Sequence, residues 1–62
     1  MIMLTKLDKS PIVVSLESIK FIESMPDTLI FFLNGDSIIV RESLDELIEK
    51  TVEFKRKVIG ES

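Results

Sequence analysis

Apolar positions recur at strand spacing through the first two thirds of the chain and change to helical spacing after Arg41. Residues 1–7, MIMLTKL, alternate as a strand, with Met1, Met3, Thr5 and Leu7 on one side and Ile2, Leu4 and Lys6 on the other. Both sides are mostly apolar. The cluster Asp8, Lys9, Ser10, Pro11 is a turn, and the β-branched run Ile12, Val13, Val14 is expected to pair back on the first strand as an antiparallel hairpin. Residues 15–18, SLES, are too short and polar for a helix and read as a loop or a single turn. Residues 19–24 alternate imperfectly as a third strand. It should stop near Met25, because Pro26 has no N–H for a ladder and holds the residue before it extended.

The stretch PDTLIFFLNGDSIIVRES, residues 26–43, contains an unbroken apolar run from Leu29 to Leu33 and a second from Ile38 to Val40. Asn34-Gly35 between them is a strong hairpin signal, since both central positions of a type I′ turn require positive φ. A two-residue loop pairs Phe31 with Ile38, Ile30 with Ile39 and Leu29 with Val40. One face would then carry Leu29, Phe31, Ile38 and Val40, and the other Ile30, Phe32 and Ile39. Neither face suits water.

Ser43-Leu44-Asp45-Glu46 fits a capping box and predicts a helix over about 44–59. Leu44, Leu47, Ile48, Thr51, Val52, Val58 and Ile59 share a stripe with Phe54 on its edge, while acids lead the helix and bases end it as the macrodipole favours. Gly60 is a plausible stop. Lys55 falls within the apolar stripe, where it must snorkel or meet a carboxylate, one candidate being an acid of a second subunit. The architecture expected is α+β in a single domain, 1–62: a small antiparallel sheet of four or five strands within 1–41, flat or curled into a partial barrel, then one C-terminal amphipathic helix.

Composition turns this pattern into an expectation of assembly. A 62-residue chain buries only about 60% of its unfolded surface when it folds alone. With no cysteine and no histidine, disulfides and zinc are not available to reinforce it, which leaves oligomerisation. One helix covers one sheet face, so Ile30, Phe32 and Ile39, with Phe54 and Lys55 of the helix, are the candidate oligomer or partner interface. The chain lacks a signal-peptide pattern and an apolar run near the ~18 residues of a membrane span, so it reads as cytoplasmic. The net charge of −3 argues against nucleic-acid binding, and Lys55-Arg56-Lys57 reads as a helix C-terminus before it reads as an anion site. Phe21, Phe31, Phe32 and Phe54 could stack on bases, but the strands lack the Arg and Lys that hold phosphates. No nucleophile and base pair, glycine-rich phosphate loop, metal-ligand spacing or cofactor motif is present, so the chain reads as no enzyme.

Met1-Ile2, Leu4-Thr5-Lys6-Leu7, Ile22-Glu23, Pro26-Asp27-Thr28, Leu33-Asn34-Gly35 and Val40-Arg41-Glu42-Ser43, followed by an acidic amphipathic helix, together resemble the FlbD family of flagellar proteins, also known as the SwrD swarming motility family. The resemblance spans nearly the whole chain. Family members usually carry Leu-Asn-Gly-Lys-Pro after the first strand, where this chain has Leu7-Asp8-Lys9-Ser10-Pro11, and lysines after the second Asn-Gly, where it has Asp36-Ser37. The resemblance implies a cytoplasmic, non-enzymatic protein that supports swarming by acting on the stator units of the flagellar motor. The alternative is a small RNA-binding regulator of the carbon-storage type, whose first strand needs arginine where this chain offers only Lys6.

Overall fold

The computed structural model describes residues 1–60, with side chains as far as Lys57. The side chains of Val58 and Ile59, and the stop expected at Gly60, which turns on the residues after it, lie outside the described residues. Strands β1 (Ile2–Thr5) and β2 (Pro11–Val14) form an antiparallel pair, with Ile2 opposite Val14 and Leu4 opposite Ile12. Of the two apolar sides, the one carrying Ile2, Leu4 and Val14 is buried, while Met3 and Val13 face outward. A single 3₁₀ turn, Leu16–Ser18, follows and half-buries Leu16 against the core. Strands β3 (Ile19–Glu23), β4 (Thr28–Phe32) and β5 (Ser37–Val40) then form a second antiparallel sheet in that order. The imperfect alternation of β3 has a cause in a register shift at Lys20: Ile19 faces Phe32 and Phe21 faces Phe31. One extra residue there puts Ile19 and Ile22 on the same side, three positions apart.

The fold is therefore α+β, as expected, but its strands form two sheets and not one sheet of four or five, and no barrel closes. Only the ends of β1 and β5 meet, through a bridge between Lys6 and Val40 and a 2.8 Å bond from the Arg41 N–H to the Thr5 carbonyl. A longer ladder is prevented on one side because the chain turns into the helix within three residues of Val40, and on the other because Leu7 and Asp8 belong to the first hairpin turn.

The second correction concerns register. Thr28 pairs with Val40, Leu29 with Ile39, Ile30 with Ile38 and Phe31 with Ser37, one residue away from the two-residue-loop pairing. The loop has three residues, Leu33, Asn34 and Gly35: the Phe32 N–H donates to the Asp36 carbonyl at 2.8 Å and the Gly35 N–H to the Phe32 carbonyl at 3.1 Å. Within this loop Gly35 alone takes positive φ, at 96°. This is a type I turn closed by a glycine bulge, the next commonest hairpin after the I′ form. A one-residue slip moves β5 across the sheet. Ile38 and Val40 now share the inner face with Ile30 and Phe32, while Ile39 joins Leu29, Phe31 and Phe21 on the outer face.

Helix α1 (Leu44–Gly60) starts as predicted. The Ser43 N–H donates to Glu46 Oε1 at 2.8 Å and the Glu46 N–H to Ser43 Oγ at 3.2 Å, so the capping box is closed in both directions. Leu47 enters the core with Ile2, Leu4, Val14, Ile30 and Val40, and Phe54 packs at its margin. Each such side chain contributes about 1.5–3 kcal/mol by leaving water. Lys50 and Thr51 are half-buried on the same side, but Leu44, Ile48 and Val52 are exposed. Among the described residues, only half of the helical stripe meets the sheets. The radius of gyration is 11.8 Å, against about 10.6 Å for a typical domain of this length.

Candidate interaction surfaces

The outer face of the three-stranded sheet is built by the bulge at Lys20 and the slipped β5. Phe21 and Phe31, neighbours across β3 and β4, stack with ring centroids 4.5 Å apart and planes tilted by 31°. Such a pair is worth about 0.5–1.5 kcal/mol beyond its burial. Lys20 Nζ lies 6.0 Å from the Phe21 ring, at the outer limit of a cation–π contact. Leu29 and Ile39, opposite each other, extend the surface towards β5. Phe21 is 44% exposed and Ile39 37%. An apolar patch with two aromatic anchors has the composition of a protein-contact surface.

The residues expected at an interface are dispersed by this geometry. Ile30 has no exposed surface and is a central core residue, so no partner can reach it. Phe32 and Phe54 are half-buried against that same core. Ile39 lies on the outer sheet face, and Lys55 is exposed on the helix. Leu29 and Phe31 belong to the outer patch with Ile39, whereas the two-residue loop puts them with Ile38 and Val40; Phe21 joins them through its pairing with Phe31. The signal that would have found them is the alternative three-residue reading of Leu33-Asn34-Gly35.

Two further apolar surfaces are open. Leu44, Ile48 and Val52 line the free side of the helix. On the other flank, Met1, Met3 and Phe54 border a groove of about 340 Å³ whose helical wall carries Glu49, Lys50, Glu53 and Lys57. The described residues hold no cluster of three or more His, Cys, Asp or Glu placed to bind a metal ion, and no helix among them is long and apolar enough to cross a membrane.

Electrostatics act mainly where the two sheets join. The Glu42 carboxylate accepts the Thr5 N–H and the Thr5 hydroxyl, both at 2.9 Å. Desolvation pushes this carboxyl up, but the two Thr5 bonds outweigh it and hold Glu42 below its ordinary value. Arg41 Nη1 donates to the Leu7 carbonyl at 3.2 Å, completing the junction between β1 and the helix start. In the first hairpin turn the Ser10 hydroxyl, with its N–H, holds Asp8 below its usual range.

Residues 1–59 match the family model FlbD, described as flagellar and swarming motility proteins. No curated protein and no solved structure gives a significant match to the chain.

Proposed function

The chain belongs to the FlbD family of flagellar and swarming motility proteins, and from that premise we propose that it is a non-enzymatic adaptor at the cytoplasmic face of the flagellar motor. It self-associates and contacts the stator proteins, modulating their assembly or the torque they deliver. The observation that carries the reading is the family match over residues 1–59. The surface chemistry supports a contact role: Phe21, Leu29, Phe31 and Ile39 form an apolar patch, and such patches on soluble chains mark interaction sites.

Deletion tests the proposal. Cells lacking the protein should keep their filaments, rotate them with reduced torque and fail to swarm, and the chain carrying Ile39→Asp should restore torque poorly. Normal torque per motor in the deletion strain would refute a role at the stator.

A further inference from the structure

The exposed side of α1 is self-complementary. Leu44, Ile48 and Val52 are 39%, 54% and 47% exposed and follow the i, i+4, i+8 row that forms a packing ridge on a helix. At about 100° per residue, Lys55 falls among them, and Asp45, Glu49 and Arg56 border the row on its solvent side. Charge is segregated along this surface, with Asp45 and Glu49 in the first half and Lys55 and Arg56 in the second. Arg56 reaches Glu53 of its own helix at 3.4 Å, whereas Lys55 makes no ion pair among the described residues. A parallel pairing of two such helices sets acid against acid and base against base. An antiparallel pairing sets each acidic half against a basic half and opposes the two macrodipoles favourably.

We propose that two copies of the chain pair antiparallel through this side of α1, about a two-fold axis beside residue 50. Ile48 of each copy packs on Val52 of the other, and Asp45 of each meets Lys55 of the other. The pairing rests on the self-association proposed above and assigns it a surface. Such an interface is isologous, so each contact occurs twice. The pairing also accounts for Lys55 in an apolar row, because its charge gains a carboxylate at the place where the stem is covered.

Light scattering after size exclusion, on the full chain at micromolar concentration, should return twice the 7.1 kDa chain mass. Ile48→Glu should raise the dimer dissociation constant at least about a hundredfold with an unchanged far-UV circular dichroism spectrum, since Ile48 is outside the core. Asp45→Lys and Lys55→Asp should each weaken the dimer about tenfold. An equimolar mixture of these two variants should recover wild-type affinity, because the heterodimer holds both ion pairs, one as in the wild type and one with its signs exchanged. That mixture decides the matter even where Ile48→Glu does not fold. A monomeric wild-type chain would overturn the pairing and the self-association together. A dimer that ignores Ile48→Glu and both charge variants, or one that Ile39→Asp alone dissociates, would overturn the helix pairing and leave self-association standing.

Discussion

Lys9→Gly is expected to stabilise the protein, and the reason lies in a likeness between the two hairpin turns. Leu7-Asp8-Lys9 and Leu33-Asn34-Gly35 are the same three-residue loop: Lys6 donates to Ser10 at 2.9 Å as Phe32 donates to Asp36, and Lys9 donates to Lys6 at 2.9 Å as Gly35 donates to Phe32. The Asp8 and Asn34 side-chain oxygens each accept the N–H two residues on, at 2.9 Å. The last loop residue must take positive φ, which is 96° at Gly35 and 74° at Lys9. A left-handed conformation costs an L-residue about 1–2 kcal/mol, and glycine returns about 0.4–1 kcal/mol of that through its freer unfolded chain. Lys9→Gly should gain about 0.5–1 kcal/mol, a rise in Tm of roughly 2–8 °C for a domain of this size. Gly35→Ala is the converse. A Cβ there meets nothing within 4 Å, so the whole cost is conformational, about 0.5–1 kcal/mol by the same balance. Thermal and urea melts followed by circular dichroism, all at one protein concentration because association shifts Tm, measure both. A Lys9→Gly variant that melts at or below the wild-type temperature would refute the strain assigned to Lys9. A neutral Gly35→Ala would refute the three-residue turn.

Register predicts that Ile30→Ala and Ile39→Ala behave differently although a two-residue loop would place them opposite each other. The first empties a fully buried site and should cost about 2–5 kcal/mol, while the second, on the outer face, should cost less than about 1 kcal/mol in urea melts of the dissociated chain. Thr5→Val removes one of two bonds to the half-exposed Glu42 carboxylate and should cost about 1 kcal/mol at neutral pH. The folded-state value of Glu42 is lowered, so its contribution is complete above its ordinary value of 4.5 and is lost as pH falls through the lower folded value. The wild-type and Thr5→Val stabilities should therefore converge in acid melts, and a constant difference below that range would count against the linkage. Ser43→Ala opens the capping box and should cost about 0.5–2 kcal/mol, seen as lost helical signal at 222 nm before the main transition.

What could be read from the sequence was local. The capping box lies within four consecutive residues, and both its bonds form as the letters imply. The strand positions, the turn at Asp8 and the strand break before Pro26 follow from residue chemistry that no distant contact overrides. The interface did not follow, for two physical reasons. Asn-Gly satisfies a two-residue loop and also the last two positions of a three-residue one, and the choice is made by which of Ile38 and Ile39 packs on Ile30, a contact across the sheet. The helix, likewise, has an apolar arc wider than the sheets can cover. Its periodicity says which residues are apolar, but only the position of β1 beneath Leu47 and Phe54 decides that Leu44, Ile48 and Val52 remain outside.

These two outcomes have one origin. With Ile38 and Val40 turned inward, Val40 bridges to Lys6 and the Arg41 N–H reaches the Thr5 carbonyl, so Glu42 arrives beside Thr5 and Ser43 opens the helix next to β1. The slip that turns Ile38 inward is thus also what anchors α1 on the inner side of the molecule. From that anchor the helix closes the core with Leu47 and cannot cross to the outer face of the three-stranded sheet. Phe21, Leu29, Phe31 and Ile39 consequently depend on something other than the chain's own helix for cover. A substitution that restored the two-residue register would turn Ile39 inward, expose Ile38 and Val40, and detach the helix start from β1. In this fold the free sheet face and the placement of the helix are one structural choice.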